Sequence, residues 1–200
     1  MPFLNAIGLS VLHYELCLHP NQRGNGGRIE SGKEMVKALT TKDTRKVFIA
    51  SAGEHLVLSR LHFHRVLASL APAQFPDFDI LINPIGGGNS KWVQVKSTET
   101  TGLGRGWSMD DEHLKLVSPK LFYCFVELCS NPQKIFVIPS SVVAKVLTEA
   151  DKAHMKKPKL DGSMRTNHSR RKLKPRFLVD IPSAPDGWMN KYLEKWDLLK

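Results

Sequence analysis

The chain of 200 residues is 42% hydrophobic and 24% charged, a composition typical of a folded globular protein and not of a disordered one. Its apolar runs are shorter than the roughly 20 residues of a membrane-spanning helix. The cysteines, Cys17, Cys124 and Cys129, lack the spacing of a zinc module or a disulfide scaffold, and no basic region precedes the apolar run Phe3–Leu12. We therefore expect a cytoplasmic protein.

The positive charge is concentrated in one segment of a chain whose net charge is +10. Between Lys152 and Arg176 there are ten basic residues and one acid, whereas the rest of the chain is nearly neutral. We expect residues 152–182 to be a flexible basic segment that binds nucleic acid, with a solvated tail or a contact to acidic lipids as the alternatives. The expected phosphate contacts are the basic side chains Lys156, Lys157, Lys159, Arg165, Arg170, Arg171, Lys172, Lys174 and Arg176.

The first part of the chain shows an irregular extension followed by a helix. Residues 1–45 have no clean helical or strand period, and we expect a poorly ordered extension. From Val47 to Leu70 the apolar side chains form two stripes at helical spacing, which predicts a helix packed on two sides. Ser51 precedes Glu54 by three residues, the spacing of a capping box, and Ala71-Pro72 is predicted to end the helix.

Four strands are predicted after this helix. Asp77–Ile82 alternates between apolar and polar residues, as does Lys91–Thr98, and a turn at Gly86–Gly88 separates them, so the two runs are expected to form a hairpin. Leu121–Leu128 and Ile135–Ile138 are more continuously apolar, which places them inside the sheet.

The remaining elements are helical. Ser140 or Ser141 is predicted to begin a helix that runs to about Glu149, and Met189–Leu199 has the apolar spacing of a short amphipathic helix. The order of elements predicts an α/β fold whose mixed four-stranded sheet is flanked by helices. The predicted organisation is an extension at 1–45, a core at 46–151, the basic segment at 152–182 and a C-terminal helix packed on the core at 183–200.

Four polar residues converge on the predicted hairpin. Asp79 lies on its first strand and Gln94 and Lys96 on its second, each on the face opposite the apolar residues of its strand. Glu54 shares an apolar helical stripe, and a carboxylate on a packed face is expected to be paired, bound to metal or acting as a cap. Two carboxylates and an amide carbonyl supply the oxygen ligands of Mg²⁺. A lysine beside them can orient the attacking water and stabilise negative charge during phosphodiester hydrolysis.

These residues resemble a known family. Ala52–Leu56, Pro76–Leu81 and Val93–Ser97 are similar to the PD-(D/E)XK nuclease superfamily, in the branch of Holliday-junction resolvases and tRNA-intron endonucleases. The segments Leu121–Val126 and Phe136–Ser140 are similar to uncharacterised bacterial members of that branch. The resemblance implies a restriction-endonuclease-like core that cleaves DNA or RNA and favours DNA as the substrate. It implies Mg²⁺ as the cofactor, with Mn²⁺ as a possible substitute. It also implies that the protein can act as a homodimer.

The resemblance assigns a role to each residue of the motif. Asp79 matches the metal-binding aspartate, Lys96 the lysine and Glu54 the acid of the first helix. Gln94 stands where the motif usually has Asp or Glu, and an amide carbonyl ligates Mg²⁺ without adding negative charge, so we expect a lower affinity for the metal.

Several alternatives stay open at this point. Glu54 fits a simple helix cap, and the lone His113 fits a structural role. Trp107 fits stacking on an unpaired base as well as packing in the core. The function that competes with catalysis is a nucleic-acid-binding module on the same fold that does not cleave, and a third is an interaction protein whose basic segment binds an acidic partner.

Overall fold

The computed structural model describes residues 42–200 apart from 73–74, 76, 101–104, 160 and 166–169, and it leaves the side chains of residues 42, 43 and 170 undescribed. The chain divides between Thr44 and Arg45, and the fold reported below is that of the unit Arg45–Lys200. The predicted extension at 1–45 lies almost entirely outside the described residues.

Helix α1 spans Lys42–Phe63 and differs at both ends from the predicted helix. The capping-box spacing predicted that Ser51 caps the helix. This prediction is wrong, because Ser51 lies inside α1 and not at its first turn. The helix ends just before Arg65, which adopts the left-handed conformation with a φ of 60°. Leu70 fits the helical stripe of the sequence, but the reversal of the chain places it in a strand.

A five-stranded mixed sheet forms the centre of the unit, with the strand order β1-β2-β3-β5-β6. The strands are β1 (Ala68–Leu70), β2 (Ile80–Ile82), β3 (Lys91–Thr98), β5 (Leu121–Glu127) and β6 (Lys134–Pro139). Strands β3 and β5 are parallel, and the other neighbours are antiparallel. The predicted hairpin is confirmed, with Ile80 opposite Val93. The predicted α/β class with a mixed sheet is confirmed, but the number of strands is five and not four.

The sheet has a packed layer on each face. Alternate residues of β5 point to opposite faces, so Cys124 packs with Val57 of α1, whereas Tyr123 packs with Val143 of the second helix, α2 (Ser140–Met155). Every residue of β5 is buried, as its continuous apolar run predicted. The same prediction is wrong for β6, which is an edge strand of the sheet. Within the described ranges, no helix is both long and apolar enough to cross a membrane.

Helix α2 begins where the sequence predicted and extends further. The hydroxyl of Ser140 donates to the carbonyl of Ser118 at 2.8 Å instead of capping the helix. The helix continues to Met155, beyond the predicted end at Glu149.

The basic segment contains more regular structure than predicted. Residues 152–155 form the end of α2. Strand β7 (Arg170–Leu173) pairs with β4 (Trp107–Asp110) in a separate two-stranded sheet. Leu173 and Ile181 are buried in the core, which anchors this part of the segment. The expectation of one flexible segment at 152–182 was therefore wrong for β7 and its surroundings.

The C-terminal residues pack on the core without forming the predicted α-helix. Two 3₁₀ helices occupy the region, at Asn190–Tyr192 and Trp196–Leu199. Glu194 lies between them with a φ of 52°, which is incompatible with a continuous right-handed helix. Trp196 and Leu199 are buried in the same cluster as α1. The apolar spacing thus predicted the burial of Met189, Trp196 and Leu199, but Leu193 of the same predicted face is exposed. The backbone reversal at Glu194 was not visible in the spacing.

Candidate active site

The carboxylate of Asp79 is fixed at the edge of β3. Its Oδ2 accepts hydrogen bonds from the backbone N–H of Val95 at 2.6 Å and from the Gln94 side chain at 2.7 Å, while the Asp79 N–H donates to the carbonyl of Val93 at 2.9 Å. The ladder N–H groups of a strand lie in the plane of the sheet. Because β2 begins only at Ile80, the Asp79 carboxylate takes the place of a strand carbonyl opposite Val95. It therefore lies between the two faces of the sheet.

The backbone before Asp79 turns away from β3. Asp77 has a φ of 76°, a left-handed conformation that Asp tolerates better than most residues. The next residue, Phe78, stacks on Trp92 with a ring separation of 5.8 Å and nearly parallel planes. This turn leaves the N–H of Val95 without a strand partner, so that the Asp79 carboxylate can reach it. Asp77 thus has a structural role in shaping the site.

Helix α1 brings Glu54 to the same place from the opposite face. Gly53 packs so closely on β3 that a Cβ atom there would lie 1.7 Å from the hydroxyl of Ser97. Burial raises the pKa of Glu54, and the negative charge of Asp79 raises it further, so the two carboxylates are close enough to repel each other. Glu54 lies well inside α1 and therefore does not act as its cap.

Lys96 approaches Asp79 from the Gln94 face of β3. Burial raises the pKa of Asp79, against the opposing effects of the Val95 hydrogen bond and the positive charge of Lys96. Among the described residues, the ammonium of Lys96 has no hydrogen-bond or ion-pair partner. The structure therefore joins Gln94 to Asp79 by a hydrogen bond, and it places Glu54 and Lys96 within electrostatic range of the Asp79 carboxylate.

A buried pair of His113 and Tyr123 lies beside this group. Tyr123 is next to Gln94 in the parallel register of β3 and β5, and its hydroxyl is 2.9 Å from Nδ1 of His113. Burial, and then the charge of Lys96, lower the pKa of His113 to about 4. Burial also raises the pKa of Tyr123, so both side chains are neutral at pH 7. The sequence interpretation treated His113 as a lone histidine, because no local period links it to Tyr123.

The donor atoms of this site fit a hard divalent cation. Glu54 and Asp79 offer carboxylate oxygens, and Gln94 uses its Nε2 toward Asp79, which leaves Oε1 as its ligating atom. In the described part of the chain, no group of three or more His, Cys, Asp or Glu side chains is placed to share a metal ion. A metal held here would thus have two carboxylates and one amide from the protein, with waters as its remaining ligands.

Two predicted nucleic-acid contacts are contradicted by the structure. Trp107 is 1% exposed, and its indole N–H donates to the carbonyl of Val126 at 3.1 Å, so it packs in the core and does not stack on bases. The side chain of Arg171 is 7% exposed and forms ion pairs with Asp151 and Asp111. Its charge is therefore already neutralised inside the protein. The sequence could not show this, because the acids that pair with Arg171 are distant along the chain.

The other predicted phosphate contacts lie at the surface where they are described. Those with exposed side chains are Lys156, Lys157, Lys159, Lys172 and Arg176, and those with partly exposed side chains are Arg165 and Lys174. Arg176 is 3.7 Å from Asp186, an exposed pair that contributes little to stability. The side chain of Arg170 lies outside the described residues.

Comparison of the chain with protein-family models, with curated proteins and with solved structures gave no match. The resemblance to PD-(D/E)XK nucleases therefore remains a prediction from the short sequence segments given above. A restriction-endonuclease-like core likewise remains a prediction, whereas the mixed α/β architecture is observed.

Proposed function

We propose that the protein is a Mg²⁺-dependent endonuclease that hydrolyses phosphodiester bonds of nucleic acid, with DNA favoured over RNA. The observation that carries this proposal is the position of the Asp79 carboxylate, which is held in the plane of the sheet by the Val95 N–H. Glu54 on α1 and Lys96 on β3 lie within electrostatic range of the carboxylate in that position.

The protein residues prepare this site for a cation. Val95 and Gln94 hold one oxygen of Asp79 in place, so the carboxylate does not have to reorganise when a ligand binds. Burial raises the pKa values of Glu54 and Asp79, and the negative charge of Asp79 raises that of Glu54 further; a divalent cation between the two carboxylates would relieve both effects. Mg²⁺, or Mn²⁺ in its place, would be held by Glu54, Asp79 and Gln94. Such an ion would polarise a phosphoryl oxygen of the substrate and make a water molecule more acidic.

Lys96 is the positively charged side chain of the proposed site. Its ammonium is close enough to influence both Asp79 and His113, and the charge of Lys96 has no ion-pair partner among the described residues. A phosphate placed at the site would therefore meet an available donor as negative charge develops on its oxygens. The neutral His113–Tyr123 pair leaves that charge uncompensated.

The main competing function is a nucleic-acid-binding module that does not cleave. It is favoured by Gln94, because a site with two carboxylates attracts Mg²⁺ less strongly than one with three. The two functions share the fold and the basic surface, and they differ only in whether the protein hydrolyses the bound nucleic acid.

A cleavage assay distinguishes them. The purified protein is incubated with plasmid DNA and with a structured RNA in Mg²⁺, Mn²⁺ or EDTA, beside Asp79→Asn and Lys96→Ala. The matched controls are Asp180→Asn and Lys134→Ala, which change exposed residues of the same types. Cleavage that requires metal, survives in both controls and falls at least about 100-fold in both site variants supports the nuclease. Binding without cleavage under every condition refutes it in favour of the module.

A further inference from the structure

A concave site separate from the candidate active site lies between helix α2 and strand β7. It has a volume of about 550 Å³, within the range of pockets that hold small organic ligands. Leu147, Phe177 and Val179 form apolar walls, and Lys157, Lys172 and Lys174 line the same cavity. The site therefore combines an apolar interior with a basic lining.

The positive charge of this pocket is not balanced within the protein. Asp151 also lines the cavity, where it forms a two-pronged ion pair with Arg171, at 2.8 Å and 3.2 Å. Because Asp111 pairs with the same guanidinium, these three groups together carry one negative charge, fewer than the positive charges of the three lysines. The ammonium groups of the three lysines make no ion pair with any described residue. Charge complementarity therefore favours an anionic ligand.

The apolar walls restrict the kind of anion. Phe177 is half-buried and lines the cavity, and the backbone nearby is fixed because the Trp188 indole N–H donates to the carbonyl of Lys174 at 3.1 Å. A free inorganic phosphate would leave these walls without a partner. A nucleotide satisfies both parts of the site, because its base has an apolar face for the aromatic ring and its phosphates match the lysines.

We propose that this pocket holds one nucleotide of a bound strand, with its base turned out of the stack against Phe177 and the neighbouring phosphates on Lys172 and Lys174. This inference rests on the proposed function and names its substrate class, a nucleic acid with unpaired bases. It also gives a part of the basic segment a specific role instead of a general attraction for phosphate.

Binding in EDTA tests the pocket without any contribution from cleavage. Fluorescence anisotropy measures the affinity of the full chain for a labelled 20-nucleotide single strand and for the matching duplex at several salt concentrations. Phe177→Leu keeps the apolar packing but removes the ring, and we expect it to weaken single-strand binding about tenfold while the slope against salt stays the same. Phe177→Tyr keeps an aromatic ring and should bind the single strand as tightly as the parent protein does. Duplex binding should change little in either variant.

The lysines should show the opposite pattern. Lys172→Ala and Lys174→Ala are each expected to reduce the salt slope for single strands by about 0.7, whereas the control Lys134→Ala leaves it unchanged. Equal loss of single-strand and duplex affinity in Phe177→Leu refutes the pocket, as does unchanged affinity. Phe177-dependent binding to anionic phospholipid vesicles in place of single strands also refutes it. Base-dependent binding by a protein that never cleaves would refute the nuclease and leave this inference standing.

Discussion

Gly53 determines how closely helix α1 approaches strand β3, and its replacement by alanine tests the geometry of the site. The added Cβ atom would lie 1.7 Å from Ser97 Oγ and 2.9 Å from Ser97 Cβ. Rotation of the hydroxyl relieves the first overlap, but the second involves a carbon attached directly to the strand. Because carbon atoms pack at about 3.5–4.0 Å, α1 must move away by roughly 0.5 Å or more.

This displacement should affect function more than stability. Overpacking costs about 1–3 kcal/mol, and alanine in place of glycine inside a helix contributes about 1 kcal/mol in the other direction, so we expect a net loss of about 1 kcal/mol. Glu54 moves with the helix, and a misplacement of about 1 Å can reduce a rate about 100-fold. We therefore expect Gly53→Ala to reduce metal-dependent cleavage about tenfold and to weaken Mg²⁺ binding.

A compensating change in Ser97 makes the reasoning testable. Ser97→Gly removes both atoms that the new methyl group meets, whereas Ser97→Ala removes only the hydroxyl. Urea denaturation, calorimetric Mg²⁺ titration and plasmid cleavage should show clear recovery in the Gly53→Ala/Ser97→Gly double variant and little recovery with Ser97→Ala. If Gly53→Ala alone binds Mg²⁺ and cleaves like the parent protein, the close approach of α1 does not position Glu54 and the proposed site is wrong.

Three further changes have definite expected outcomes. Glu54→Gln should raise the free energy of unfolding in EDTA at pH 7 by about 0.5 kcal/mol, because the raised pKa marks a carboxylate that destabilises the fold when charged, and Mg²⁺ should reverse the order in urea titrations. Gln94→Glu should increase Mg²⁺ affinity about tenfold in calorimetry, and equal affinity would argue against Gln94 as a ligand. His113 has a pKa of about 4 in the folded protein against 6.5 in a free side chain, so stability is complete above pH 6.5 and is lost as the pH falls toward 4. His113→Gln should flatten this loss, at most about 3 kcal/mol, in denaturation curves between pH 4 and 7.

The hairpin could be predicted because its signal is local. Alternation in Lys91–Thr98 shows which side chains share a face, and the short glycine turn fixes the neighbouring strand, so Asp79 could be placed beside Gln94 before any coordinates were known. The pairing of Ile80 with Val93 confirms the hairpin, although β2 begins at Ile80 and Asp79 lies just before it instead of on the predicted strand.

The parts that could not be predicted depend on contacts between distant residues. Strand β4 is only four residues long and gains its partner from β7 far along the chain, so Trp107 showed no strand pattern of its own. The partner of His113 is likewise a tertiary contact. The end of helix α1 was misplaced because a positive φ at Arg65 overrides an apolar period that continues through it.

The position of the Asp79 carboxylate explains how residues from opposite faces of a sheet can serve one site. A strand normally separates the side chains of its two faces, so Glu54 from α1 and Lys96 from the other face would not meet across it. Where β2 stops short of Val95, the pairing of the two strands has an opening that the Asp79 carboxylate fills, and this position in the plane of the sheet would let both faces reach it. The opening and the proposed metal ligand would thus be produced by the same local feature. Extending β2 by one paired residue would close the opening and should remove the site without disturbing the core.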